Sequence, residues 1–230
     1  MKTLAAENHY HWQVEVGCQI RNAAGSHIDW NTSGYGCLVH PRIVLTTNQV
    51  WGAAENATYR QSEVMVRVGE TEYPCTRGYC DEERNLAALV LAHPADNTKG
   101  KPFKSFPAVA ENPPKPGQAL GVLVKQHLYS QEGTHSGGEY TCYTFGYVSL
   151  LRGEDELLFA LSGVEAMTPY FGNVLFDEDG KIHGVAVDFL RTSVETGYGK
   201  SHNGFMVFSP IYTLAKATKQ LASKEAQITQ

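Results

Sequence analysis

Gly34-Tyr35-Gly36-Cys37-Leu38-Val39-His40-Pro41-Arg42-Ile43-Val44-Leu45-Thr46-Thr47-Asn48-Gln49-Val50 holds two short apolar runs on either side of a His-Pro-Arg turn. Gly36–Val39 and Ile43–Thr46 are too short for helices and rich in β-branched residues, so they read as two strands. The same texture of short apolar runs between Gly, Pro and Asn clusters recurs along most of the chain.

Working outward, the first half offers strands at Gln13–Ile20, Val64–Val68, Glu72–Arg77 and Leu86–Leu91. Val64–Val68 mixes its two faces, while Leu86–Leu91 is almost wholly apolar and reads as a strand buried on both sides. The second half offers Gln118–Lys125, Tyr140–Leu150, Leu157–Leu161, Asn173–Phe176, Ile182–Phe189 and Gly204–Phe208. Between the halves Pro102, Pro107, Pro113, Pro114 and Pro116 crowd one stretch, and proline cannot donate to a β ladder, so the stretch is a connector. Helix signal appears only at the end. Ser209-Pro210 reads as an N-cap and first-turn proline, followed by Ile211, Leu214, Ala215, Thr218, Leu221 and Ala222 at helical spacing, a stripe expected to face the second barrel.

The expectation is an all-β chain: two antiparallel six-stranded barrels and a C-terminal α-helix. Its parts are an N-terminal arm at 1–11, a first barrel at 12–100 and a connector at 101–117. A second barrel at 118–208, a helix at 209–223 and a frayed tail at 224–230 follow.

At 230 residues the chain buries enough surface to fold without disulfides. A net charge of −5 argues against a nucleic-acid surface, and no run of about 18 apolar residues suggests a membrane span. The N-terminus breaks into Glu7 and His9 before an apolar core forms, so no intact signal peptide is visible. The five cysteines, Cys18, Cys37, Cys75, Cys80 and Cys142, lack CxxC spacing and read as reduced thiols of the cytoplasm or another reducing compartment. A Cys75–Cys80 bridge, or a secreted form using the glycosylation acceptors at Asn31 and Asn56, is the alternative.

Four landmarks in order make the chain similar to the chymotrypsin-like (trypsin-like) serine protease superfamily, and more closely to its Deg (high-temperature-requirement, HtrA) branch. Gly34–Val50 resembles GSGxxV followed by LTNAHV. Gly78-Tyr79-Cys80-Asp81 and Asn85–Leu91 resemble GxD followed by DLALLKV, and Gly172–Val185 resembles the second half of GNSGGPLFDxxGxVIGI. Phe205–Pro210 looks like the closing strand before the last helix. The branch often trimerises and often carries a following PDZ domain; none is expected here.

The resemblance implies that Gln49 stands at the general base, Asn85 at its carboxylate partner and Phe171 at the nucleophile. An amide neither gains nor loses a proton near neutral pH, so Gln49 cannot be the base. Asp-to-Asn at the second position alone lowers turnover by about 10⁴. Phe171 has no nucleophile, and its ring fills the substrate carbonyl's place. Extending the register backward puts Pro169, which lacks an N–H, at the oxyanion glycine, and one lost donor costs about 10²–10³ in rate.

The expectation is therefore a catalytically inactive homologue, a pseudoprotease, acting through a protein or peptide partner as a regulatory or scaffolding subunit. The peptide would add as a strand beside Val187, Asp188 and Phe189, the stretch that resembles the family's substrate edge. Trp51, with Tyr59, reads either as an aromatic patch there or as core, and Phe171 as a plug of the vacated pocket. The alternatives are a hydrolase with relocated groups, drawing on Ser162, His40 or His183, and a purely structural module. His183 reads as an exposed or half-buried strand residue. No metal or cofactor is expected: His9 and His11 lack further ligands, and Asp177–Gly180 reads as a hairpin turn. The polar stretch from His127 to Gly138 reads as a surface loop beside the cleft.

Overall fold

A computed structural model describes residues 11–21, 24, 26–57, 63–96, 100–127, 139–152, 158–162, 171–196 and 199–228. The first half holds β1 (Gln13–Arg21), β2 (His27–His40), β3 (Ile43–Thr46), helix α1 (Asn48–Ala57), β4 (Val64–Val68), β5 (Thr71–Asp81) and β6 (Leu86–Leu91). The second holds β7 (Ala119–His127), β8 (Glu139–Arg152), β9 (Leu158–Ser162), β10 (Val174–Phe176), β11 (Ile182–Thr196) and β12 (Gly199–Pro210), followed by helix α2 (Tyr212–Ile228). Every expected strand is present, several of them longer than the apolar pattern indicates. β11 and β12 stay paired from Gly184↔Pro210 out to Thr196↔Gly199, because a hairpin ladder needs backbone bonds and not apolar side chains.

Both sheets are closed, antiparallel and identical in strand order. The first runs β1-β2-β3-β6-β5-β4 and closes through β4 on β1; the second runs β7-β8-β9-β12-β11-β10 and closes through β10 on β7. The second closure is short, resting on Leu175↔Val122 and Phe176↔Gly121. The connector lies against the second barrel, with Val109 bridged to Ile182.

Two helical expectations need correction. Ser209 and Pro210 finish β12, opposite Val185 and Gly184, and Ser209 Oγ is buried without a partner, so it caps nothing. The helix begins at Tyr212 and continues to Ile228 through Lys224, Glu225 and Ala226, all good helix formers, so the segment expected to fray is helical almost to its end. Its stripe reaches both barrels: Leu214 joins Ile182 and Val185 of the second, as expected, while α2 also contacts β3 and β6 and Leu221 lies beside Gly78 of β5, in the first. Helix α1 is the second correction. Val50 and Trp51 favour strands, but Thr47 Oγ1 accepts the Val50 N–H at 3.1 Å and caps a helix instead. No helix among the described residues is long and apolar enough to cross a membrane.

Three apolar clusters among the described residues hold the molecule together. One fills the first barrel, with Val16, Leu38, Val44, Val66 and Leu89 fully buried or nearly so. A second fills the other barrel around Leu120, Val122, Leu175 and Phe208. The third lies between the barrels, where Ile43, Leu45 and Leu86 meet Ile182, Val185, Ile211 and Leu214. At about 1.5–3 kcal/mol for each large side chain buried, that third cluster fixes the barrels against each other and defines the crevice between them.

Candidate functional site

At the mouth of the crevice the first turn of α1 is held by the β5–β6 turn. Asn85 Oδ1 accepts the Gln49 N–H at 2.9 Å, and the Asn85 carbonyl accepts the Asn48 N–H at 3.2 Å. Asn85 sits at φ 53°, a left-handed conformation that asparagine tolerates better than most residues. Its Nδ2 lies 3.5 Å from Gln49 Oε1 and 3.4 Å from the Val187 carbonyl, which belongs to the second barrel. Asn85 thus spans from helix α1 to strand β11.

Phe171 approaches from the other side. Its carbonyl accepts the Tyr35 N–H at 2.9 Å, and its half-buried ring packs on the first-barrel cluster. A methyl group on Gly34 would stand 2.5 Å from Val50 Cγ2 and 2.9 Å from the Phe171 oxygen, so Phe171 lies within a side chain's width of the residue after Gln49. Gly172 follows at φ 89°, where a Cβ would overlap the Tyr35 carbonyl, and its N–H reaches the Ala186 carbonyl at 3.0 Å. Gln49, Asn85 and Phe171 therefore meet in one crevice. Two of these three side chains are amides, and neither Gln49 nor Asn85 can carry a proton between water and a substrate near neutral pH.

The remaining sequence-derived candidates divide. Pro169 lies outside the described residues, as do His9, Tyr59 and most of the loop from His127 to Gly138. Val187 is buried between the barrels and its carbonyl faces Asn85, so its side chain offers nothing to a partner. Asp188 and Phe189 pair with Val207 and Met206 on one edge. Among the described elements no strand pairs with the other edge of β11 from Val187 to Thr196. Trp51 is 8% exposed and belongs to the first-barrel core, which decides between its two readings in favour of packing.

His183 corrects another expectation. It is buried, with Nε2 2.8 Å from Asp177 Oδ2, while its Nδ1 has no partner. Asp177 also accepts the N–H groups of Asp179 and Lys181, the hairpin turn expected there, with Gly180 at φ 81°. Burial alone would raise the Asp177 pKa, but these hydrogen bonds and the nearby imidazole hold it below the usual carboxylate value. His40 Nδ1 accepts the Arg42 N–H and orders the β2–β3 turn. Among the described residues no group of acidic, His and Cys side chains could hold a metal. Cys75 and Cys80 are both free thiols, so no bridge joins them.

One cluster beside Gln49 was missed in the sequence. Asn48 Oδ1 accepts from Arg77 at 2.9 Å and from Cys80 Sγ at 3.2 Å, tying β5 to the start of α1. The Thr47 cap was its readable signal.

The sequence matches no protein-family model and no curated protein. Its structure is similar to several solved ones. A mutant of human heparin binding protein (CAP37) superposes with a TM-score of 0.59 at 15% identity, covering 93% of this chain and 92% of that one. The fold is that of the trypsin-like serine proteases. The MamO protease domain from Magnetospirillum magneticum gives a TM-score of 0.53 at 16% identity, covering 92% of this chain and 98% of that one. The active form of the Rv3671c protease from M. tuberculosis gives 0.52 at 16%, covering 89% and 79%. At these identities the likeness is one of fold, and the chemistry must be judged from the crevice itself.

Proposed function

We propose that this chain is a non-catalytic trypsin-like serine protease homologue, nearest in its motifs to the Deg branch, that acts by binding a protein or peptide. The observation that carries the reading is the crevice itself. The scaffold gathers residues 49, 85 and 171 at one place, and fills those positions with an amide, an amide and a phenyl ring. No proton acceptor or nucleophile of useful pKa remains among them. The edge of β11 beyond Val187, which no strand among the described residues pairs, supports a bound peptide as an added strand. One structural neighbour is named for binding heparin, which supports a binding role for the fold; a net charge of −5 disfavours the same polyanion here. The free thiols support residence in a reducing compartment.

A fluorophosphonate probe and a casein hydrolysis assay test the reading. The purified chain should neither label nor cleave, and a partner should co-purify at stoichiometric amount. Stoichiometric labelling lost on substitution of one residue, together with turnover, would overturn it. The combined variant Gln49→His, Asn85→Asp, Phe171→Ser and Pro169→Gly is expected to gain probe reactivity, because positions 49, 85 and 171 already lie beside one another.

A further inference from the structure

Strands β7 and β8 turn one face to the core of the second barrel and the other to water. Leu120 and Val148 belong to the buried cluster, so the alternation of side chains sends Ala119, Phe145 and Tyr147 outward. Tyr147 is 61% exposed and Phe145 41%, the two most exposed large apolar side chains among the described residues. Both also interact within the chain and still leave that much surface to water. A single exposed apolar residue is ordinary, but two rings on one face, two residues apart on one strand, make a patch. The patch has an acidic border. Tyr147 lies opposite Ala119, and the exposed Ala119 shares a cavity of about 240 Å³ with Asp177, Glu178 and Asp179 of the turn after β10. Two inter-strand spacings, about 10 Å, separate the tyrosine from this turn, with the Ala119 methyl group on the floor between them. Asp177 is engaged by His183 and by two backbone N–H groups. Glu178 and Asp179 are exposed and form no ion pair among the described residues, none of which brings a basic side chain to the cavity.

We propose that this face is a docking surface for an extended, basic segment of a partner protein. An apolar side chain of the segment covers Tyr147 and Phe145, and a lysine or arginine reaches across Ala119 to Glu178 and Asp179. Charge complementarity selects this occupant. The rings alone would take any apolar segment, whereas the two carboxylates at the border repel an acidic one and attract a basic one. Side chains two positions apart on an extended segment share a face and stand about 6.7 Å apart, and the long basic stem covers the remaining distance. The surface shares no residue with the crevice or the β11 edge, so it stands whether or not either of them binds anything.

A displayed library of random peptides, panned against the full-length chain, tests the proposal. The combined variant Tyr147→Ser, Glu178→Gln and Asp179→Asn is panned in parallel. All three side chains are exposed, so the variant should keep the melting temperature of the wild type. Peptides retained by the wild type alone should carry a lysine or arginine two or three positions from an aromatic or aliphatic residue. Replacing that arginine by citrulline should weaken binding about tenfold, and added salt should weaken it as well. The citrulline exchange alters only the peptide, so it decides the matter even if the variant is destabilised. Amide chemical-shift changes on binding should centre on Ala119. Peptides that both proteins retain and that shift β11 would assign binding to that edge and overturn this surface. Enrichment of acidic or uncharged sequences, equal binding of the citrulline peptide, or no peptide that distinguishes the two proteins would overturn it too.

Discussion

Asn85 Oδ1 accepts the Gln49 N–H at 2.9 Å while Asn85 Nδ2 stands 3.5 Å from Gln49 Oε1, so one asparagine both caps helix α1 and faces the side chain at its start. Two neutral amides meet in the crevice. The backbone half of this contact holds the helix in place without any titratable group, so the architecture of the crevice does not depend on one.

Asn85→Ala should remove a helix cap and leave a β-carbon residue at φ 53°. Cap loss costs about 1 kcal/mol and the left-handed backbone about as much again, so urea denaturation should show a loss of about 2 kcal/mol. Asn85→Gly, which relieves the backbone term, should lose less. Asn85→Asp keeps the cap acceptor but cannot donate to the Val187 carbonyl, and should fall between wild type and alanine.

Two glycines give opposite expectations. At Gly172 a Cβ would overlap the Tyr35 carbonyl and φ is 89°, so Gly172→Ala should cost several kcal/mol or abolish folding. At Gly52, inside α1, a Cβ meets nothing within 4 Å, so Gly52→Ala should stabilise by about 0.5–1 kcal/mol. Thermal melts of the two variants separate the cases. A tolerant Gly172→Ala would mean that residues 171 and 172 are not held against Tyr35.

The strands were legible because their alternation is local, and Val64–Val68 shows it plainly in its burial. The connector was legible because its prolines are incompatible with a ladder. Helix α1 was not, because Val50 and Trp51 carry strand propensity and the Thr47 cap is joined by a tertiary contact from Asn85 that the local sequence does not show. Ser209-Pro210 misled for the reverse reason: a helix-start pattern was overridden by pairing with Gly184 and Val185. Motif order singled out positions 49, 85 and 171, and the fold places them beside one another. The buried state of Trp51 and His183 could not be read in this way, since it depends on which strands lie over them.

The thiols should differ in reactivity. Burial pushes the Cys75 thiol up to about 12 and raises Cys37 further, so neither offers thiolate at neutral pH. Cys80 is raised by its partial burial as well, but Arg77 opposes the shift and the sulfur is partly accessible. Native iodoacetamide labelling followed by peptide mass analysis should therefore modify Cys80 before Cys37 or Cys75. Labelling of Cys37 at the same rate would mean that the first barrel opens easily.

Acid sensitivity should trace in part to Asp177. Its carboxylate accepts from His183, Asp179 and Lys181, and these contacts outweigh burial to hold its folded pKa below the ordinary value. A depressed carboxylate stabilises the fold fully above its unfolded pKa of about 3.9, and that contribution drains away as pH falls through the folded value. The stability gap between wild type and Asp177→Asn should thus be constant from neutral pH down to about 5 and shrink steadily below about 4. Urea denaturation at a series of pH values from 7 to about 2.5 measures it. A gap that stays the same across the whole series would mean that the Asp177 charge adds nothing to folding, and that its hydrogen bonds act through geometry alone.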